Sequence, residues 1–308
     1  MHLSVYLPLL FSGLFGVVAP VLARRLPPAV GTWLLSVGGM LAAAGSAASL
    51  ALLGFTLVGQ SPLLAARGHW SDTALRHADP VAAPVAVVAL IVLAVLTVRF
   101  AVAGVRRLTA LRDAYRLAAS LPASCGELAV IEHPGPRAHA VPGRPGRIVV
   151  STGLLRGLDA GQRRAVLAHE RAHLTHRHHL HHTVAHLAAA ANPLLRGLPT
   201  AVALSTERWA DESAAVTCRR DTVAAALTHA ALGGARLLGV PSVVLAAAAT
   251  EIVARVQALR APAPRLTLWR VALLVALLLA TAATVLEAAR ETERLFELAQ
   301  YAYRTAHR

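Results

Sequence analysis

Long apolar stretches without charged side chains limit the folds open to this chain. A helix needs about 20 predominantly apolar residues to cross the hydrocarbon core of a bilayer. We predict four membrane-spanning helices, at residues 3–23, 29–59, 81–103 and 269–287. The first has no basic segment before it and no cleavage site of small residues, which favours a retained span over a signal peptide. The fourth is the shortest, and Trp269 and Arg270 at the interface would extend it.

Composition agrees with a membrane protein and excludes a disordered chain. Hydrophobic residues make up 56% of the 308 residues and charged residues 15%, whereas a soluble domain carries about a quarter charged residues. The net charge is +14, and every basic residue is an arginine. A nucleic-acid-binding protein would cluster such charge on one face among aromatic residues, but aromatic residues are only 4%. We therefore expect no direct binding of nucleic acid.

Arginine clusters orient the predicted spans. Arg24 and Arg25 follow the first span, and two larger groups flank the segment between the third and fourth spans: Arg106, Arg107, Arg112 and Arg116, then Arg255, Arg260, Arg265 and Arg270. Positively charged loops stay on the cytoplasmic side of a membrane. The N-terminus is therefore predicted to lie outside a bacterial-type plasma membrane, with residues 106–268 in the cytoplasm.

The chain is predicted to be a mainly α membrane protein with one inserted domain. Three spans fill residues 1–105, a cytoplasmic α+β domain fills 106–268, the fourth span fills 269–287, and a short charged tail fills 288–308. Turn residues rich in proline and glycine separate three short apolar runs in this domain. Two helices follow, the first opened by a capping-box-like pair, Asp159 and Gln162. The predicted strands are 128–132, 138–141 and 147–151, and the predicted helices are 159–191 and 200–219.

The first of these helices carries the pattern His169-Glu170-Arg171-Ala172-His173. Two histidines four residues apart share one face of a helix, so both imidazoles can bind one zinc ion. Glu170 lies beside that pair, where it can act as a general base and then as an acid. The pattern therefore predicts a catalytic zinc site.

A third ligand is predicted on the second helix. A catalytic zinc takes three protein ligands and keeps one open position. Glu207 and Asp211 are four residues apart and share a face. Glu207 is the predicted third ligand, and Asp211 is predicted to accept the second ring N–H of a ligand histidine. The alternative is that both carboxylates lie on a solvated helix face; acidic residues are scarce in this chain, which favours the ligand role.

The same region contains six further histidines: His176, His178, His179, His181, His182 and His186. They could form a second metal site, or a polar helix face that supports the first site. Because neighbouring acidic partners are missing, the sequence favours the polar face.

These motifs together resemble integral-membrane zinc metallopeptidases. The resemblance rests on residues 140–143, 147–155, 169–174 and 207–211, and it covers about residues 1–290. Three spans before the zinc motif and one after it are most similar to the BlaR/MecR-type antirepressor peptidases, and the core is similar to that of HtpX-like enzymes. The resemblance implies a zincin-like fold for the inserted domain.

The resemblance also implies roles for individual residues. His169, His173 and Glu207 match the ligands of one catalytic zinc ion, Glu170 the general base and Asp211 a supporting acid. The strand at 147–151 resembles the edge strand along which such enzymes hold an extended substrate, so Ile148, Val149 and Val150 are predicted to bind substrate. Relatives that sense β-lactams carry a large extracellular domain after the last span, and direct sensing through such a domain is not expected here.

Three functions remain open at this point. The first is a zinc endopeptidase in the bilayer that cuts a protein or peptide, with a DNA-binding transcriptional repressor as the implied substrate in a signalling pathway. The second is an HtpX-like protease for membrane-protein quality control. The third is a non-catalytic, zinc-stabilised membrane receptor. An intact Glu170 argues against the receptor, because a structural zinc site has no use for a base.

Overall fold

The computed structural model describes residues 4–79, 81–122, 126–238 and 242–307, and for residues 231–238 and 242–250 it describes the backbone alone. The first residue of the first predicted span and the last residue of the predicted tail lie outside these ranges. Helices dominate the described chain, and one small sheet precedes the helix with the zinc motif. The helices and strands run in this order: α1 Leu7–Ala23, α2 Pro28–Gly59, α3 Pro62–Gly68, α4 Asp72–Ala78, α5 Ala83–Ser120, β1 Leu128–Ile131, β2 Ala138–Val141, β3 Arg147–Ser151, α6 Thr152–Gly157, α7 Ala160–Thr175, α8 His178–Ala191, α9 Leu198–Thr217, α10 Arg220–Leu238, α11 Ser242–Arg260 and α12 Leu268–Ala306.

Three of the described helices are long and apolar enough to cross a membrane: α2, α5 and α12. They contain the predicted second and fourth spans and residues 83–103 of the predicted third, and they support a membrane protein. The helix of the first predicted span, α1, has 17 residues and is shorter than this class.

Two helices continue beyond the predicted ends of their spans. The third span and the basic segment after it form the single 38-residue helix α5, and the fourth span and the charged tail form the 39-residue helix α12. Both junctions consist mainly of Ala, Leu, Arg and Glu, which are strong helix formers. Neither predicted boundary, at 105 or at 287, is therefore a break in the backbone.

Small residues place α2 at the centre of the apolar helices. A Cβ atom on Gly39 would overlap the Leu198 side chain of α9, and one on Gly45 would overlap Thr281 of α12. Glycine at these positions lets the neighbouring helices approach the α2 backbone closely. The main buried cluster accordingly joins α1, α2 and α12 with the hairpin formed by α8 and α9.

The tip of that hairpin is held by one buried amide. Asn192 is 4% exposed and its Nδ2 donates hydrogen bonds to Ser12 of α1 and Ser46 of α2, at 2.7 and 2.9 Å. Its Oδ1 accepts the backbone N–H of Leu194 at 3.0 Å. The helix stop predicted at this residue is therefore also the point at which the hairpin is anchored among the apolar helices.

The sheet has the strand order β1-β3-β2. β1 pairs with β3 in parallel and β2 pairs with β3 in antiparallel fashion, so both edges of β3 are hydrogen-bonded. The prediction that 147–151 is an edge strand is wrong, because the chain returns through β3 between the two earlier strands. The bounds of all three predicted strands are confirmed to within one residue.

Replacement of Asn192 by alanine is expected to loosen the hairpin. The change leaves the hydroxyl groups of Ser12 and Ser46 without their donor in a buried site, which should lower the free energy of unfolding by about 1–3 kcal/mol. Thermal unfolding of the purified protein in detergent measures the effect. Thr200→Ala, at an exposed position of the same hairpin, is the control, and equal melting temperatures for the two variants would contradict the anchoring role.

Candidate active site

The helix with the zinc motif begins at the predicted cap. The side chain of Asp159 accepts the N–H of Gln162 at 2.8 Å, and the Gln162 side chain accepts the N–H of Asp159 at 3.2 Å. This reciprocal capping box satisfies two backbone donors that the first helical turn leaves without partners. It sets the start of α7 at Ala160, nine residues before His169.

The helix ends earlier than predicted. Arg177 adopts the left-handed conformation, with φ 51° and ψ 44°, and the chain divides there into α7 and α8. The prediction of one helix up to residue 191 is therefore wrong. Continuous helical sequence could not reveal this break, since arginine is a good helix former. The turn brings His178, the first residue of α8, back against His173.

The three predicted ligands converge. Nε2 of His169 and Nε2 of His173 lie 3.1 Å apart, and the Glu207 carboxylate oxygens lie 3.4 and 3.5 Å from them. A tetrahedral zinc ion with bonds of about 2.0–2.1 Å separates its ligand atoms by about 3.3 Å. Two imidazole nitrogens and one carboxylate oxygen are also a usual donor set for catalytic zinc. The residues therefore fit a single zinc ion.

Asp211 supports His169 from the far side of the ring. Nδ1 of His169 lies 3.0 Å from Oδ1 of Asp211, so the ring donates its Nδ1–H there and directs the Nε2 lone pair toward the ligand cluster. Burial lowers the pKa of His169, but the hydrogen bonds to Asp211 and Glu207 outweigh it and raise the pKa to about 9. A metal ion must therefore displace a proton at this ring.

Burial has the opposite net result at His173, where it lowers the pKa to about 4. The ring is therefore neutral near pH 7, as a metal ligand requires. Burial would raise the pKa of Glu207, but its bond to His169 and the charge of Arg255 hold it well below the usual range. Glu207 is thus a carboxylate at all moderate pH values.

Arg255 is a site residue that the sequence did not reveal. Its Nε and Nη2 donate to the two carboxylate oxygens of Asp211 at 2.8 and 2.7 Å, and its Nη1 lies 2.8 Å from Glu207. The side chain is buried. The sequence grouped Arg255 with the arginines that orient the membrane spans, but it neutralises the two acids of the site. No local pattern links α11 to the zinc motif, so only the folded chain could show this.

Glu170 lies beside the ligand cluster and lines the same cavity. Burial raises the pKa of Glu170. The neighbouring His169 and the backbone of Ala140 lower this pKa, whereas Glu207 raises it. The net result is a raised pKa. A carboxyl group shifted upward toward neutral pH is suited to exchange protons with a reacting group.

Two cavities meet at this cluster, and His169 and Glu207 line both of them. Their volumes are about 520 and 400 Å³, and His139 and Glu170 line both. β2 runs along both cavities, whereas Ile148, Val149 and Val150 are buried in the core and line neither. The strand at the cavities is therefore the neighbour of the one that was predicted to bind substrate.

Histidines of α8 surround the site without forming a second one. His178 contacts His173, and Nε2 of His182 lies 3.0 Å from the Thr206 hydroxyl, which precedes the ligand Glu207. His181 lies farther away and bonds Ser36 of α2 at 2.8 Å. Within the described ranges, the one group able to hold a metal ion is the cluster of His169, His173 and Glu207.

Removal of the buried guanidinium should destabilise the site. Arg255→Met leaves the carboxylates of Glu207 and Asp211 without their cation, a change that typically costs about 3–5 kcal/mol. The free energy of unfolding in the presence of a chelator measures this loss. Arg219→Met is the control, because Arg219 is an exposed arginine directly before α10. A loss below about 1 kcal/mol, the usual range of a surface pair, would show that Arg255 does not stabilise the carboxylates of Glu207 and Asp211.

Residues 106–238 match the family model of peptidase family M48. The matched segment begins within α5 and contains the sheet and the helices with His169, Glu170, His173 and Glu207. No curated protein and no solved structure matches the chain. With the apolar helices and the convergence of His169, His173 and Glu207, the match supports a membrane-associated metallopeptidase.

Proposed function

We propose that the chain is a membrane-embedded, zinc-dependent endopeptidase that hydrolyses peptide bonds of a protein substrate. The observation that carries the proposal is the convergence of His169, His173 and Glu207 at the spacing of zinc ligands. Glu170 stands beside them in a cavity that is open to substrate. A site that served structure alone would be closed to substrate.

The residues divide the chemistry between them. Bound zinc supplies Lewis acidity, which lowers the pKa of water and polarises the scissile carbonyl. Glu170 takes a proton from the attacking water and delivers it to the leaving amine. Asp211 holds the ring of His169 in the required tautomer, and Arg255 keeps Glu207 and Asp211 ionised and in place.

The free edge of β2 is the proposed substrate strand site. The Arg137 carbonyl accepts the Ser151 N–H. Because hydrogen-bonded positions alternate along an antiparallel strand, His139 and Val141 are the next residues that bond to β3. The backbone groups of Ala138 and Ala140 then point away from β3, and both residues line a cavity that Glu170 also lines. An extended substrate that pairs with this edge is brought directly to the catalytic carboxylate.

The membrane arrangement follows the charge pattern. In the proposed topology α1 also spans the membrane, which makes four spans with α2, α5 and α12. The N-terminus lies outside a bacterial-type plasma membrane, and the site faces the cytoplasm. The peptidase domain comprises residues 106–268. Arg24 and Arg25 lie near the site, since Arg208 donates to the Arg24 carbonyl at 2.7 Å, and their positive charge supports a cytoplasmic position.

A transcriptional repressor is the proposed substrate, by resemblance to the BlaR/MecR-type peptidases. One observation also favours substrates at the membrane itself, as in quality control. Ser205, two residues before Glu207, donates to the Pro28 carbonyl at 3.0 Å and accepts from Thr32 at 3.0 Å. The metal ligand is thus held at the end of a membrane-spanning helix.

Loss of the general base should abolish cleavage and leave metal binding intact. For Glu170→Gln we expect a fall in kcat/KM of about 10²–10⁴-fold or more, with zinc content unchanged. In cells, new protein N-termini should appear with the wild-type chain and be absent with Glu170→Ala. Quantitative N-terminal proteomics makes this comparison.

The cut proteins identify the physiological role. Cuts confined to one DNA-binding repressor support the antirepressor function, and cuts spread over membrane proteins support quality control. Unchanged cleavage by Glu170→Gln would overturn the mechanism. A zinc-binding chain that cuts nothing in cells with or without Glu170 would support the receptor.

Proline at position 138 tests the substrate edge. Ala138→Pro removes an N–H that points away from β3, so the internal ladder should persist. We expect kcat/KM for a protein substrate to fall about tenfold or more through loss of the strand pairing. Ala138→Ser keeps the N–H and is the control. Equal activity of the two variants would exclude pairing at this residue.

A further inference from the structure

His178 lies against the ligand His173 and is shielded from solvent. Its side chain is 1% exposed, and its Nδ1 lies 3.0 Å from Nδ1 of His173. The two rings are nearly perpendicular, with centroids 4.7 Å apart. Two ring nitrogens at this distance share one proton, so one nitrogen donates and the other accepts.

The direction of this hydrogen bond follows from the other side of His173. Nε2 of His173 faces Nε2 of His169 and an oxygen of Glu207, at 3.1 and 3.5 Å. A ring nitrogen that binds a metal keeps its lone pair, so the proton of His173 belongs on Nδ1. Nδ1 of His178 is then the acceptor, and the proton of His178 lies on Nε2.

The second ring nitrogen of His178, Nε2, donates no hydrogen bond to the described residues. Nε2 is buried and has no hydrogen-bond partner among the described residues, an arrangement that costs free energy. The ring is held instead by aromatic packing against Trp209 and His176, with centroid distances of 5.0 and 5.8 Å. Trp209 lies on α9 between Glu207 and Asp211, so the helix with the third ligand also fixes this ring.

We propose that His178 is a positioning residue of the metal centre: its Nδ1 accepts the Nδ1–H of His173 and so directs the Nε2 lone pair of His173 to the metal. His169 has a carboxylate in the corresponding place, Asp211, whereas His173 has a neutral imidazole. The inference rests on the proposed function, since it requires a bound zinc ion.

Substitutions that keep, move or remove the acceptor test this role. The side-chain oxygen of asparagine can occupy the place of Nδ1, the glutamine amide reaches only the place of Nε2, and leucine has no acceptor. Loss of such a partner typically weakens metal binding by about 10–100-fold. We therefore expect that weakening for His178→Leu and His178→Gln, and a zinc Kd within about threefold of wild type for His178→Asn.

Two readouts on the full chain in detergent separate positioning from folding. Competition with a chromophoric chelator gives the zinc Kd, and the visible spectrum of the cobalt-substituted protein reports ligand geometry. The spectrum should be unchanged in His178→Asn and altered in His178→Leu. His181→Leu is the matched control for His178→Leu, because His181 is 6% exposed on the same helix but bonds Ser36 through its Nδ1. It should lower the melting temperature and leave the zinc Kd unchanged.

The outcomes distinguish this inference from the proposed function. Wild-type zinc affinity in His178→Leu, or equal weakening in the asparagine and leucine variants, would overturn the positioning role alone. The proposed function fails, and the inference with it, if the wild-type chain binds no zinc or if His169→Ala leaves its zinc binding unchanged. Retained affinity in asparagine and loss in both leucine and glutamine would establish that the Nδ1 acceptor is what matters.

Discussion

Two carboxylates one helical turn apart, Glu207 and Asp211, are the charged feature around which the site is built. Both are largely removed from water, and ionised groups in such a place need partners. α7 supplies the imidazole of His169, and α11 supplies the guanidinium of Arg255. Three helices that are distant in sequence are thereby held in one arrangement, and the ligand geometry follows from it.

The helix with these acids also belongs to the apolar part of the molecule. α8 and α9 form a hairpin that packs into the main buried cluster with α1, α2 and α12. Asn192 anchors its tip and Ser205 its return toward the site. Glu207, the proposed third ligand, is therefore positioned by contacts with the apolar helices, which connects these helices directly to the proposed site.

Much of the fold could be predicted because the relevant signals are local. Strand bounds, the capping box of α7 and the convergence of His169, His173 and Glu207 followed from turn residues, helix periodicity and ligand chemistry. The break at Arg177 could not be predicted, because arginine is a good helix former and its left-handed conformation here has no local signature. The predicted boundary at 287 marks a change in charge, and the helix of the fourth span continues through it because the tail is rich in strong helix formers.

By itself the sequence determined the membrane character and which residues are proposed as the ligand set and the general base, since apolar length and residue spacing act within single helices. Tertiary structure decided which strand lies at the edge beside the cavities, which arginine enters the site and which histidine contacts His173. Each of these depends on contacts between elements far apart in the chain: the insertion of β3 between β1 and β2, the docking of α11 on α9, and the turn that returns α8 to α7. Such contacts are set by packing and charge compensation in three dimensions, and residue spacing along one helix carries no record of them.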